Sequence, residues 1–500
     1  MLKEGLNLRG AKEMYPWLLL IFWFGLHIPF LGADPDTLVD VHTRGAWTDE
    51  GLYSGTARNF LNTGTIDLHE NSLLTRGPLQ TVLQIPLFFI FGQSLLVARL
   101  MTLVGVLLAF IFFMKHPRLK MAGVGLLLVG FTQFHLFHFS HYAMAEAFST
   151  ACILLSIVFM IRAFDDEGSF SQWRRHLFVS AVMLFVAYGM KIQFVYIAPL
   201  LPAVALIQWV VSWIRSGEHH TELRKKFVYA TAFTAIFAAV YVVLWYLPNK
   251  EFYHYVMSRE VDSRFPATLS GIFEVMRFNF DVLLFVPYLK PLILAGGVSL
   301  LVGGVWLLVS PSGWTRAERI LFLASFLWLL LELHKVSMTY MPHRYLVPAY
   351  ASVALLISTL LSAAYRQKRW LAVVVMVWIS LTAGWQLRHT HEAWQRRSWD
   401  LKAVNTYLRG YDWSGKTISG AWGPSAAWGT KARVFPVWGG FLNDERALDA
   451  TMIIAESDQE DSGESLLRQG IDLDNITDSL RRFPVWRYEV DLRWIHLEED

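Results

Sequence analysis

The residues able to do chemistry sit in a few short stretches. Trp47-Thr-Asp-Glu-Gly-Leu-Tyr53 sets Asp49 beside Glu50. Thr48 can cap a helix there, and the positive end of the helix dipole favours both acids in its first turn. His141-Tyr-Ala-Met-Ala-Glu146 adds a third carboxylate, the only acid between Glu70 and Asp165. Three cations recur in similar contexts: Arg76 before Gly77-Pro78, Lys191 in Gly189-Met-Lys-Ile-Gln193, and Arg344 in Tyr340-Met-Pro-His-Arg-Tyr345. A carboxylate can take a proton from a hydroxyl, while Arg and Lys can neutralise a phosphate. Each also has a plainer reading. First-turn acids are ordinary helix-start residues, and Lys or Arg at a membrane surface can snorkel to lipid head groups. His135, His138 and His141 share a helical face, but no acid is interleaved with them, so neither a metal site nor a cofactor is expected. The single cysteine, Cys152, lies in an apolar run, which excludes intramolecular disulfides and cysteine-based metal sites.

These residues must be positioned by a chain suited to lipid. Of its 500 residues 54% are hydrophobic and only 17% charged, against roughly 25% in a typical soluble domain. Such a composition cannot cover a water-facing surface. The net charge of +3 leaves no basic field for nucleic acid. About eleven apolar runs have the ~20-residue length that a bilayer requires. They lie near 16–31, 94–114, 121–139, 147–164, 177–190, 194–213, 228–247, 283–309, 320–334, 346–363 and 371–387. The first lacks a small-x-small cleavage site and reads as an uncleaved span. Basic connections at Lys3/Arg9/Lys12, Lys115/Arg118/Lys120, Arg174/Arg175, Arg215/Arg224/Lys225/Lys226, Arg316/Arg319 and Arg366/Lys368/Arg369 alternate only if Pro78–Gly92 does not cross. The expected topology therefore has the N-terminus cytoplasmic, the C-terminus external and Pro78–Gly92 at the outer surface.

The first external loop, 32–93, then carries a helix with Leu52, Ala57, Phe60 and Leu61 as an apolar stripe, expected to lie on the membrane surface. The turn 140–146 and the loop 248–282 are external as well. The fold class expected is an all-α polytopic membrane domain over residues 1–388, followed by a small soluble α/β domain over 389–500, also external. Strand-like runs at Val434–Trp438, Thr451–Ala455 and Val485–Leu497 mark that tail. Gly415, Gly420, Gly423, Gly439 and Gly440 punctuate it, and Glu456, Asp458, Glu460, Asp461 and Glu464 form an acidic patch.

In order and spacing, the Asp49-Glu50 pair, the Gly-Pro segment ending in Phe91-Gly92 and Ala98-Arg99-Leu100 resemble the C-type glycosyltransferases. Within them, the similarity is to the branch of protein O-mannosyltransferases and bacterial lipid A aminoarabinose transferases. The resemblance continues through His141–Glu146, Gly189-Met-Lys191 and Arg344-Tyr345, covering about residues 15–390 and leaving the tail aside. It implies a polyprenyl-phosphate-linked sugar donor and transfer with inversion. It also implies Asp49 as general base with Glu50 as its neighbour, and Glu146 at the position of the second-loop acid, usually Asp. Arg76 stands where the aminoarabinose branch has a phosphate-binding lysine. Leu52 occupies that branch's arginine position, so the contact is missing or supplied by Arg58.

Elementary chemistry supports the same expectation. A lipid phosphate leaves readily once its charge is compensated, which Arg76, Lys191 and Arg344 can do. The acceptor hydroxyl needs a base, and Asp49 can serve. The acceptor class stays open among glycan, lipid and protein, and membrane lipids surround the whole. A bacterial inner membrane is expected, since no retrieval signal ends the chain. The rival reading is a transporter or flippase of a lipid-linked saccharide, which predicts paired halves that the sequence does not display.

Overall fold

The computed structural model describes residues 8–36, 39, 44–70, 76–165, 168–214, 220–261, 264–286, 289–367, 369–438, 443–457 and 462–496. Lys3, Arg215, Lys368, Gly439, Gly440, Asp458, Glu460 and Asp461 lie outside the described residues. The helices are α1 (Leu8–His27), α2 (Ala46–Thr63), α3 (Pro78–Phe91), α4 (Leu95–Lys115), α5 (Lys120–Thr132), α6 (Phe134–Phe139), α7 (Ala145–Asp165), α8 (Phe170–Met190), α9 (Leu200–Ile214) and α10 (His220–Tyr241). Then come α11 (Lys250–Val261), α12 (Leu269–Phe285), α13 (Lys290–Val309), α14 (Arg316–Glu332), α15 (Val347–Gln367) and α16 (Arg369–Gln395). The C-terminal region holds α17 (Asp400–Leu408), β1 (Thr417–Ser419), α18 (Gly423–Ala426), β2 (Arg433–Val434), β3 (Met452–Glu456), α19 (Ser462–Arg468), α20 (Leu473–Ile476), β4 (Ser479–Val485) and β5 (Tyr488–Trp494).

Among the described residues, eight helical stretches are long and apolar enough to cross a membrane. They are Leu95–Lys115, Ala145–Asp165, Ile192–Ile214, His220–Val256, Lys290–Val309, Arg316–Ser337, His343–Gln367 and Arg369–Leu408. The other three runs read as spans are helical too. Met14–Phe30 is apolar but shorter, and α8 carries Arg174 and Arg175 near its start. The run 121–139 is two helices, because Gln133 turns extended after α5 and its side chain caps α6 at Leu136 N–H. The loop 248–282 holds α11 and most of α12, where no regular structure was read. α3 has 14 residues, about 21 Å at ~1.5 Å each, short of ~30 Å of hydrocarbon.

Capping residues start several helices: Ser94 accepts from Val97 N–H, and Thr315 with Glu318 forms a capping box. α15 is buried along nearly its whole length and forms the bundle's axis. Neighbours approach it at small residues: Gly125 of α5 faces Ser358 and Gly296 of α13 faces Val353, as is usual where lipid supplies no hydrophobic drive.

The C-terminal sheet has the order β2-β1-β3-β5-β4. β1 pairs parallel with β2 and β3 (Ile418 opposite Val434 and Met452), while β5 runs antiparallel to β3 and β4 (Ile454 opposite Leu492, Val485 opposite Tyr488). β5 falls within the last of the three strand-like runs, β3 overlaps the second at Met452–Ala455 and β2 touches the first only at Val434; β1 and most of β4 lie outside them. Trp413, Trp422, Trp494, Ile418, Ile454 and Leu492 fill one core of this region.

One expectation changes materially. The face of α2 expected to meet lipid meets protein instead: Ala46 to Asn59 are all buried. Its apolar stripe meets protein on both sides, with α3 against one face and α18 and β2 against another. Trp47 packs into the C-terminal core beside Trp422.

Candidate functional site

Consecutive residues on a helix point about 100° apart, so the two acids of α2 face different partners. Glu50 turns into the bundle. Arg99 of α4, fully buried, donates Nε to Glu50 Oε1 at 2.8 Å and Nη2 to Oε2 at 2.5 Å. Ala143 N–H adds a 2.7 Å bond to Oε1, and Arg99 Nη1 donates to the carbonyls of Phe30 and Ala33 at 2.8 and 2.6 Å. This pair ties α2, α4, the end of α1 and the 140–146 turn into one joint. Both Glu50 oxygens are occupied by these donors.

Asp49 points the other way. Its Oδ2 lies 3.0 Å from Arg344 Nε, just ahead of α15. Tyr53, one turn after Asp49 on the same face of α2, reaches the third carboxylate. Lys191 Nζ donates to Tyr53 Oη and to Glu146 Oε1, each at 2.5 Å, and Tyr53 Oη stands 3.4 Å from the same Glu146 oxygen. Glu146 opens α7 and Lys191 follows α8, both essentially buried; Glu146 Oε2 is buried without a hydrogen-bond partner. Burial and then the negative charges of Glu146 and Asp49 push the Tyr53 phenol well above its usual range, so it stays protonated.

Tyr345 gathers the cations. Its hydroxyl accepts from Arg264 Nη1 at 2.9 Å and its carbonyl from Lys335 Nζ at 2.8 Å. Lys191, Arg344 and Arg264 lie 4.7, 5.3 and 5.7 Å from the centre of its ring. Arg344 Nη2 also reaches Tyr340 Oη at 3.3 Å. Lys335 is in turn paired with buried Glu332 at 2.7 Å. Arg76 is buried ahead of α3, and the next residue, Gly77, abuts the end of α8. A Cβ there would overlap the Met190 carbonyl oxygen, so this position brings Arg76 beside the Lys191 segment.

The structure thus joins Asp49, Glu146, Lys191 and Arg344, with Arg76 alongside. Arg58 does not join them. Its Nη1 and Nη2 donate to the carbonyls of Pro424 and Ala427 at 2.6 and 2.7 Å, and its guanidinium lies 4.6 Å from the Trp428 ring centre. With those contacts it anchors α2 to the C-terminal region and does not stand in for an arginine at Leu52. Tyr53, Tyr345, Lys335 and Arg264 escaped the sequence reading. Tyr53 was accessible, four residues after Asp49 on one helical face; Lys335 with Glu332 is an i,i+3 pair at a span end. Arg264 lies in a connection without any pattern.

The three histidines sit in an aromatic nest that reaches the edge of the site at His343, the chain neighbour of Arg344. His27 Nδ1 and His141 Nδ1 are 2.8 Å apart, His135 Nε2 and His343 Nδ1 3.3 Å, and Phe30, Phe134 and Phe137 pack round them. Among the described residues no group of three or more His, Cys, Asp or Glu side chains is arranged to hold a metal ion.

No protein-family model matches the sequence, and no curated protein matches it. Solved structures do. ArnT from Cupriavidus metallidurans, bound to undecaprenyl phosphate, superimposes with a TM-score of 0.55 at 12% identity, over 97% of this chain and 98% of that one. The oligosaccharyltransferase AglB from Archaeoglobus fulgidus, in complex with an inhibitory peptide and a dolichol-phosphate, matches with a TM-score of 0.51 at 12% identity, over 90% of this chain and 70% of that one. The chain has the C-type glycosyltransferase fold. The likeness to ArnT spans the C-terminal region too, which the sequence resemblance had left uncovered.

Proposed function

We propose that this chain is a membrane glycosyltransferase that moves a sugar from a polyprenyl-phosphate donor to an acceptor hydroxyl, with inversion. The observation that carries the reading is the contact of Asp49 with Arg344 beside the Lys191–Glu146 pair, all buried within a C-type glycosyltransferase fold. One cation touches the candidate base, and a second stands one tyrosine away. A transferase for a phosphate-linked sugar needs a base and phosphate-binding cations about one sugar's width apart in a single site, because base and leaving group act on opposite sides of one carbon.

In this mechanism the acceptor oxygen attacks the anomeric carbon on the face opposite the phosphate. The new C–O bond forms as the anomeric carbon–phosphate oxygen bond breaks. Asp49 takes the hydroxyl proton, and the electron pair leaves with the phosphate, which remains on its lipid. Arg344, Lys191 and Arg76 compensate the growing phosphate charge, with Arg264 behind them. Arg344 bridges base and phosphate. Glu146 holds Lys191 in place, and its unpartnered Oε2 is offered to a hydroxyl of the bound sugar. The ArnT structure holds undecaprenyl phosphate and the AglB structure a dolichol-phosphate, which supports the donor class assigned here.

Alternating basic connections support an orientation with the N-terminus cytoplasmic and the site external, at a bacterial inner membrane in this reading. The C-terminal region is external too, and it is docked on the bundle rather than separate, since residue 389 lies within α16 and Trp47 of α2 enters its core. The decisive experiment has two parts. Mass spectrometry of lipid co-purified with the protein identifies the donor, and transfer from it is compared in wild type and Asp49→Asn. General-base help is worth ~10²–10⁴-fold, so the variant should lose that much turnover while still binding lipid phosphate. Wild-type turnover in Asp49→Asn removes Asp49 as the base.

A further inference from the structure

Of the parts of the C-terminal region that meet α2, α18 is the one packed next to the two acids. A Cβ on Gly51 would overlap the Ser425 nitrogen and the Pro424 carbonyl carbon, so backbone lies directly on backbone. The Ser425 hydroxyl donates to the Thr48 carbonyl at 2.8 Å and accepts from Gly51 N–H at 3.1 Å. Those two groups bracket Asp49 and Glu50 along the helix. Ser425 is itself buried. Its own position is held from both sides: Arg58 grips the Pro424 and Ala427 carbonyls, and Asn405 of α17 donates to the Ala426 carbonyl at 3.0 Å.

A first helical turn depends on partners outside the helix for its leading N–H groups. In α2, Trp47 N–H bonds to the Arg44 carbonyl and Thr48 and Asp49 N–H to the Gly45 carbonyl, at 3.0–3.3 Å. Gly45 starts this one without a side-chain cap. One hydroxyl that gives a bond to residue 48 and takes one from residue 51 fixes the rise and rotation of the turn between them. The direction of the Asp49 side chain follows from that turn.

We propose that Ser425 is a positioning residue that sets the Asp49 carboxylate against Arg344 from the C-terminal region, so that the site is completed by a segment outside the transmembrane bundle. The proposal rests on the reading of Asp49 as general base. Ser425 touches no substrate; it acts through the backbone of Thr48 and Gly51. A base works only within hydrogen-bond reach of its proton, and a displacement of about 1 Å can cost ~10²-fold in rate.

The test uses the full chain in detergent. Ser425→Ala, Ser425→Thr and, as a control in the same interface, Asn62→Ala are compared; Asn62 donates to the Ala432 carbonyl at 3.1 Å. Three readouts are taken: transfer from the co-purified lipid-linked sugar, binding of undecaprenyl phosphate alone, and amide hydrogen exchange over α2. Ser425→Ala should lower kcat ~10–100-fold with donor KM and undecaprenyl phosphate binding within about two-fold of wild type. Exchange at residues 48–52 should quicken. Ser425→Thr should restore both, and Asn62→Ala should leave both at wild type. In an Asp49→Asn background, Ser425→Ala should cost nothing more, because the two changes act through one group. Wild-type kcat in Ser425→Ala, an equal loss in Asn62→Ala, or a full further loss on top of Asp49→Asn overturns the proposal. Failure of the underlying reading is seen separately, as Asp49→Asn turning over normally while exchange at residues 48–52 still responds to Ser425.

Discussion

Replacing Arg344 asks whether the cation beside Asp49 clamps a phosphate or merely reaches for the membrane surface. The guanidinium is held in three ways: Nε at 3.0 Å from Asp49 Oδ2, Nη2 at 3.3 Å from Tyr340 Oη, and its carbon 5.3 Å from the centre of the Tyr345 ring. A phosphate clamp lost in Arg344→Ala removes a charge-assisted hydrogen bond of ~1.5–3 kcal/mol. At about 1.4 kcal/mol per decade, donor binding should weaken roughly 10- to 150-fold. Turnover should fall further, because Asp49 also loses the group that orients it. Arg344→Lys keeps the charge, but a point-like ammonium cannot serve a carboxylate and a phosphate edge together. About one such bond goes, ~1.5 kcal/mol, and binding should weaken ~10-fold. Undecaprenyl phosphate binding and sugar transfer are measured for both variants, with Arg388→Lys as control; Arg388 is 69% exposed and pairs only locally, with Glu392. A snorkelling arginine accepts lysine, since both stems reach the interface. Equal binding and turnover in Arg344→Lys and wild type would refute the clamp and leave Arg76 and Lys191 to neutralise the phosphate.

Glu50→Gln breaks a buried pair whose partner, Arg99, is 0% exposed, so it should cost ~3–5 kcal/mol and show first as lost expression and a lower Tm. A variant of wild-type Tm that lacks only turnover would return Glu50 to the chemistry. Asp491 on β5 gives the pH dependence. Burial pushes its carboxyl up, but hydrogen bonds from Arg482 and Ser457 and the charges of Arg482 and Arg493 outweigh it and hold it below the usual range. A carboxyl held low when folded stabilises above its unfolded value of ~3.9 and loses that contribution as pH falls through the folded value. Tryptophan fluorescence should therefore report acid unfolding of the sheet below about pH 4 in wild type and a flatter response in Asp491→Asn; superimposable profiles would contradict this. A reporter fused to the C-terminus should read as external and one inserted at Lys120 as cytoplasmic, and the reverse would invert the proposed placement of the site.

Much of the fold was legible because lipid imposes a coarse rule. A chain must bury its backbone polarity in helices of membrane length, and composition reports that directly. The acids and cations stood out for the same reason, being rare among apolar runs. Local pattern could not say what each one faces. Asp49 and Glu50 are chain neighbours with the same chemistry, yet the ~100° between consecutive helical residues sends Glu50 to Arg99 and Asp49 to Arg344. The apolar stripe of α2 was visible, but periodicity cannot tell lipid from protein as the thing it meets. Arg58 has the charge of a phosphate contact, but it donates to the Pro424 and Ala427 carbonyls. Tyr53 and Tyr345 carry no charge to mark them, and Arg264 lies in a connection of no regular pattern. The contact that brackets Asp49 comes from Ser425, 374 positions from Gly51. Periodicity carries information over a turn or two of helix. Which distant surfaces close on one another depends on how whole faces fit, and that is decided only when the chain packs.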